Sequence, residues 1–231
     1  MRSVPELGLD HPFWASLAGR HASIALGGPL ARRFPRDSSP IAGLSGTGAN
    51  HVAALEALVE PGDDAGIAGP AVPDLSDRWE TLHRSRLVQM IRGDRAPMPE
   101  SDVPASVLAP ADAPEMLALA ERTKPGPFRL RTLELGTYLG IRERGRLVAM
   151  AGQRLWIGRY REISAVCTEP DARGRGLASA LVARLVNRIL AAGEVPFLHV
   201  DVENPLAIAL YRRLGFVPRV ELPLLAAKRL R

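Results

Sequence analysis

Cysteine is almost absent from this chain of 231 residues: Cys167 is the only one. A single thiol excludes an intrachain disulfide framework and a cysteine-based metal site. Lysine is scarce too, with Lys124 and Lys228 the only two among 30 basic side chains. No apolar run approaches the ~18 residues that a membrane-spanning helix needs. The first residues, Met1 to His11, hold no apolar core of a signal peptide. A soluble, cytoplasmic protein is expected. The arginines form no block of roughly five or six and have no aromatics interleaved among them. The net charge of +5 therefore points to a solvated surface or an anionic small ligand, and nucleic acid is an unlikely partner. His11, His21, His51 and His83 are scattered without carboxylates at ligand spacing, so no metal site is expected.

What is present is an ordinary globular balance, 46% hydrophobic and 24% charged. The length suits one large domain or two small ones. Pro97, Pro99, Pro104 and Pro110 lie within residues 93–110 and read as a connection. This divides the chain into 1–100 and 101–231. In the first stretch a helix is expected after Asp10, with Asp10 as its cap. A short strand is expected over residues 21–26, a second helix over 49–59, and one or two strands over 79–92. No chemical motif stands out there.

The second stretch is clearer. A helix over 113–122 has Asp112 as cap and Pro114 at its first position. Strands over 138–142 and 146–151 flank the turn Glu143-Arg144-Gly145. Further elements are a strand over 162–168, a helix over 174–192, a strand over 197–202, a helix over 205–214 and a strand over 216–225. The order is α-β-β-β-α-β-α-β. The helix over 174–192 is the firmest, because Leu177, Leu181, Val182, Leu185, Val186, Ile189 and Leu190 make one apolar stripe at helical spacing.

Two segments carry chemistry. Val166-Cys167-Thr168 leads through Glu169-Pro170-Asp171-Ala172 into Arg173-Gly174-Arg175-Gly176-Leu177-Ala178. A strand thus enters a tight glycine loop and then a helix. The first turn of a helix has unpaired N–H groups and a partial positive charge. Glycine lets a phosphate approach that backbone, and Arg173 and Arg175 add charge, so the loop suits a pyrophosphate. Without Gly-Lys-Ser/Thr it is no P-loop, and no Gly-x-Gly-x-x-Gly dinucleotide fingerprint is present. In the second segment, Asn204 is a good N-cap, Pro205 fits the first helical position and Gly215 fits the C-terminal stop. Tyr211 lies about two turns past Asn204 on the same side.

Arg173-x-x-Gly176-x-Ala178, followed by Asn204-Pro205-x-Ala207-x-x-Leu210-Tyr211-x-x-x-Gly215-Phe216, resembles the GNAT superfamily of N-acetyltransferases. The resemblance covers roughly residues 111–231. It implies a mixed α/β sheet of the acyl-CoA acyltransferase type, with residues 1–100 as a smaller α/β unit compatible with a degenerate copy of that fold. It also implies acetyl-CoA as co-substrate and no metal. Val166, Cys167 and Thr168 would pair with the pantetheine arm, and the amides of Arg173, Gly174, Arg175, Gly176, Leu177 and Ala178 would hold the pyrophosphate. Asn204 would contact the arm or order a water. Tyr211 would protonate the departing thiolate.

The function this implies is transfer of an acetyl group to an amine, on a small molecule or on a protein or peptide, by direct attack in a ternary complex. That chemistry needs a polarised carbonyl, a deprotonated amine and a proton for the sulfur. Glu162 is a candidate general base, sharing a face with Ser164, Val166 and Thr168 by the strand period of two. His199, Asp201 and Glu203 lie on one face of the next strand and are further candidates. Cys167, alone in an apolar strand, reads as packing. A non-catalytic acyl-CoA sensor is the alternative, and a nucleic-acid-associated regulator rests on net charge alone.

Overall fold

The computed structural model describes residues 8–231. Apolar runs bounded by turn signals form the strands, buried on both faces in the middle of the sheet and exposed at its edges. These are β1 (Leu26–Gly27), β2 (Ala31–Arg33), β3 (Ile41–Leu44), β4 (Asp64–Ala68), β5 (Trp79–Arg92) and β6 (Ser106–Val107), then β7 (Tyr138–Glu143), β8 (Arg146–Ile157), β9 (Tyr160–Thr168), β10 (Val195–Asp201) and β11 (Phe216–Arg229). The helices are α1 (Pro12–Ala18), α2 (Ala49–Glu56), α3 (Ala113–Thr123), α4 (Leu177–Ala191) and α5 (Pro205–Arg213). All the described strands join one mixed sheet in the order β1-β2-β3-β4-β11-β5-β10-β9-β8-β7-β6.

That order ties the two sequence stretches together. β5, from the first hundred residues, lies between β10 and β11 and is antiparallel to both. β4 pairs with the outer side of β11. The expected partition at residue 100 is thus a boundary in sequence and not in the sheet.

α4 covers one face. Its Leu181, Leu185, Val186 and Ile189 meet Leu198 and Val200 of β10 and Met90 of β5 in one buried cluster. Each such side chain contributes roughly 1.5–3 kcal/mol by leaving water. The other face is covered by α1, packed with Phe197 and Tyr160, and by α3, packed with Leu147 and Met150. The β7–β8 hairpin turns where expected, since Arg144 (φ 51°) and Gly145 (φ 83°) both adopt the left-handed conformation.

Several expected boundaries shift for local reasons. α4 begins at Leu177 rather than 174, because Gly174 and Gly176 both sit at φ 76° and cannot be helical. Residues 21–25 form turns, with the N–H groups of Ile24 and Ala25 bonded to the His21 carbonyl, so no strand forms before Leu26. Asp10 does not cap α1, whose N-cap is His11; its carboxylate instead accepts from Arg219 at 2.6 Å. Asp112 stands at the N-cap position of α3, but its side chain accepts from the Ala109 amide at 2.7 Å and pairs with Arg142. β11 runs on to Arg229 because β5 offers it a partner along its whole length.

Candidate active site

The sheet forks between β9 and β10. These parallel strands pair only at Val195–Tyr160, Pro196–Arg161 and Phe197–Glu162. Beyond that point β9 continues to Thr168 and β10 to Asp201 without pairing. A bulge in β9 accompanies the fork. Cys167 faces Met150 and Ser164 faces Gly152, so β9 holds one residue more than β8, and Ala165 takes φ 51°. A bulge bends and twists its strand, and a non-glycine residue in the left-handed region costs on the order of 1–3 kcal/mol. It also breaks the strict alternation expected for residues 162–168. Ile163 and Val166 both pack towards α4, whereas Ala165 and Cys167 pack with α3.

A cavity of about 450 Å³ opens at the fork. Ser164, Val166, Asp201, Asn204 and Tyr211 line it from the second stretch. Pro40, Ile41, Asp64, His83 and Leu87 line it from the first, and the loop Lys124–Pro127 closes one side. The sequence reading thus brings Val166, Asn204 and Tyr211 to the cavity. Cys167, Thr168, Glu162 and the glycine loop are not on its wall.

The glycine loop has its own geometry. No acceptor among the described residues takes the backbone N–H groups of Gly174 to Ser179, six consecutive amides at the start of a 15-residue helix. A Cβ on Gly174 or Gly176 would meet nothing, so both glycines serve the backbone angle and not packing. Arg173 donates to the Thr168 carbonyl at 3.2 Å. Arg175 is paired with Glu143 of the β7–β8 hairpin at 2.6 Å, so its charge is shared with a carboxylate.

From the wall of the cavity, which Arg154 and His199 help to line, a polar row crosses the sheet from strand to strand. Arg154 on β8 donates to both Glu162 oxygens at 3.0 Å, and the Leu155 amide adds a bond at 3.2 Å. His199 Nδ1 donates to Glu162 Oε1 at 2.8 Å. Gln89 on β5 donates to His199 Nε2 at 3.1 Å and to the Leu9 carbonyl at 2.9 Å. Its carbonyl oxygen accepts from Arg219, which stands at the register shift between Pro218 and Val220 in β11. The Glu162 and His199 side chains are only 1% and 2% exposed. Burial by itself would raise the Glu162 pKa, but Arg154 and His199 outweigh it and hold the group down at about 2. This carboxylate is ionised and buried, with Arg154, His199 and the Leu155 amide on its two oxygens.

Three other groups complete the site. Tyr211 is buried, its phenol pushed up to about 12 by burial, so it keeps its proton at neutral pH. Asn204 caps α5 by accepting from the Ala207 amide at 3.0 Å. Cys167 is buried against α3, and burial pushes its thiol up to about 11, which makes it a poor nucleophile. At the cavity mouth His83 Nε2 meets Asp201 Oδ2 at 3.3 Å. The sequence reading placed Asp201 near the cleft but gave His83 no role, because 118 residues separate the two. No group of three or more metal-ligating side chains occurs among the described residues, and no described helix is long and apolar enough to cross a membrane.

Residues 138–222 match the family model described as FR47-like protein. A stretch of 84 residues is 38% identical to the N-alpha-acetyltransferase RimI of Mycobacterium tuberculosis (strain ATCC 25618 / H37Rv), covering 34% of this chain and 51% of that protein. The chain thus spans about half the length of this curated relative. The crystal structure of a GNAT-family protein from Novosphingobium aromaticivorans DSM 12444 superposes with a TM-score of 0.89 at 33% identity, over 98% of this chain and 99% of that one. A GCN5-related N-acetyltransferase from Kribbella flavida shares the fold alone, with a TM-score of 0.61 at 20% identity over 94% and 95% of the two chains.

Proposed function

The chain belongs to the GNAT family of acetyltransferases, and we propose that it moves an acetyl group from acetyl-CoA to a primary amine by direct attack in a ternary complex. The observation that carries this reading is the open fork between β9 and β10 with Tyr211 beside it. Strand edges released from pairing offer backbone groups to an extended amide-bearing arm, here Val166 to Thr168. Next to them, the six unpaired amides from Gly174 to Ser179 offer hydrogen bonds and the positive end of a helix to a pyrophosphate. The residues present therefore fit acetyl-CoA.

Each side chain then has a defined task. A free strand N–H at the fork polarises the thioester carbonyl. Tyr211, protonated at neutral pH, gives its proton to the leaving sulfur. Asn204 fixes the start of α5 and so the direction in which Tyr211 points. Glu162 acts here as a positioning group that holds His199 and Arg154 at the base of the fork. Residues 1–100 lack the Arg-x-x-Gly-x-Ala motif and supply the wall of the acceptor side through Pro40, Ile41, Asp64 and Leu87.

The acceptor is an amine carried by a small molecule or by a protein or peptide, and the cytoplasm is where acetyl-CoA would meet it. The name of the mycobacterial relative, an N-alpha-acetyltransferase, makes free peptide N-termini a natural class to try first. Thiol release from acetyl-CoA with a panel of primary amines tests the reading. Turnover with at least one amine supports it. Binding of acetyl-CoA with no turnover on any amine would instead favour an acyl-CoA sensor.

A further inference from the structure

We propose that His83, supplied by the stretch without a CoA motif, is the general base that takes the proton from the acceptor amine, with Asp201 orienting it. This rests on the acetyl-transfer reading above. The cavity at the fork is lined by two histidines, and only one of them is available. His199 has both ring nitrogens engaged, one by Glu162 and one by Gln89, and is 2% exposed. His83 is 48% exposed and uses only Nε2, towards Asp201 Oδ2. Its Nδ1 carries a lone pair that no described residue occupies.

Asp201 is built to hold that ring. Its Oδ1 accepts from Ser85 Oγ at 2.8 Å and from the Glu203 amide at 2.9 Å, which fixes the carboxylate and leaves Oδ2 for His83. Burial alone would raise its pKa. The bonds from Glu203, Ser85 and His83 outweigh burial and keep the group ionised. An ionised carboxylate at 3.3 Å both sets the tautomer, with the hydrogen on Nε2, and stabilises the imidazolium that forms when Nδ1 accepts a proton.

The surroundings do not compete. Beside His83 on its own strand stand Ser85 and Leu87, and β11 presents Leu224 and Ala226. The other charged or titratable groups around the cavity are Asp64 on β4, Lys124 after α3, Arg154 on β8 and Tyr211 on α5. Asp64 is held by Arg129 at 2.8 Å, and Arg154 by Glu162. Tyr211 keeps its proton for the sulfur. His83 is therefore the nitrogen base that the cavity leaves open.

The proton balance closes. The ammonium of the acceptor loses one proton to His83 Nδ1, and the freed lone pair forms the C–N bond as the C–S bond breaks. The sulfur takes the Tyr211 proton, and the proton shed by the new amide nitrogen replaces it. His83 returns its proton to water.

The test uses the full chain with acetyl-CoA and a panel of amino-acid amides and short peptides with free N-termini, read by thiol release. Wild type that binds CoA but acetylates none of them overturns the acetyl-transfer reading and this one together, before any variant is compared. With an active acceptor, His83→Gln should lower kcat/KM by about 10²–10⁴-fold. The acidic limb of the pH–rate profile should move up to the higher pH at which the amine itself deprotonates in solution. His83→Ala should regain part of its rate with added imidazole. Calorimetry should give the same CoA affinity for all three proteins. A His83→Gln rate within about threefold of wild type, well under the general-base range, or an acidic limb at the same pH as in wild type, overturns the proposal. So does loss of CoA binding in parallel with rate, since that marks a structural role.

Discussion

His199 and Asp201 stand two residues apart on one face of β10, and each joins its strand to an imidazole–carboxylate pair. The first pair, His199 with Glu162, is sealed, with Arg154 on one side and Gln89 on the other. The second, Asp201 with His83, opens onto the cavity. The chemistry of the two pairs is the same, and burial assigns their roles. A sealed pair whose lone pairs are all used rigidifies the strands on either side of the fork. An open pair with one nitrogen unoccupied can exchange a proton with a substrate. Glu162 of the sealed pair stands at the last bonded position of β9 and β10, opposite Phe197, and His199 and then Asp201 follow on β10 past the point where the strands part.

Removing the proposed proton donor of the cavity gives the largest expected change. Tyr211→Phe keeps the ring and its edge-on contact with Phe216. It should lower kcat by about 10²–10⁴-fold, equivalent to about 3–5 kcal/mol of barrier. The KM for acetyl-CoA should stay nearly constant, as read from steady-state kinetics. A loss confined to KM would move Tyr211 from the chemistry to binding.

Next comes the sealed pair. Glu162→Gln leaves the buried Arg154 charge without its counter-ion, and removing one partner of such a pair typically costs about 3–5 kcal/mol. Chemical denaturation should show that loss. By contrast, His83→Gln at the open pair should leave the denaturation midpoint nearly where it is. Equal stability losses at the two pairs would erase the distinction between them.

A smaller effect is expected with pH. The folded-state pKa of Glu162 is depressed, so its contribution is fully present above the ordinary carboxylate range. That contribution is lost as pH falls from about 5 towards about 2, the folded value. The midpoint of thermal unfolding should fall over that window in wild type and less steeply in Glu162→Gln. If burial outweighed Arg154 and His199, wild type would instead gain relative stability in acid.

Much of the scaffold was legible because its signals are local. The α4 stripe repeats every three to four residues, the β7–β8 turn contains Gly145, and the glycine loop lies within six positions of its strand. Asn204 capping α5 could likewise be read from its neighbours. The fork was not legible, because its bulge rests on Ala165, a residue with no intrinsic preference for positive φ. Nor was the insertion of β5 between β10 and β11, which depends on pairing across more than a hundred residues. His83 and Gln89 could not be linked to Asp201 and His199 for the same reason. Glu162 could be picked out, but its burial beside Arg154, which arrives from β8, could not. Asp10 looked like a cap because its competing partner, Arg219, is over two hundred residues away.

The central claim is that CoA is held at this fork with its pyrophosphate on the first turn of α4. Ala178→Asp tests it without the strain that any side chain at Gly174 or Gly176 would bring. Ala178 is the second residue of α4, where an acidic side chain favours the helix, so the fold should hold or gain slightly. The same carboxylate would face a phosphate across unpaired amides. Calorimetric titration should give one CoA per chain in wild type and a dissociation constant at least about tenfold higher in Ala178→Asp, about 1.4 kcal/mol, with the unfolding temperature unchanged or raised. Unchanged affinity in a folded Ala178→Asp protein, or two CoA per chain in wild type, would contradict the account.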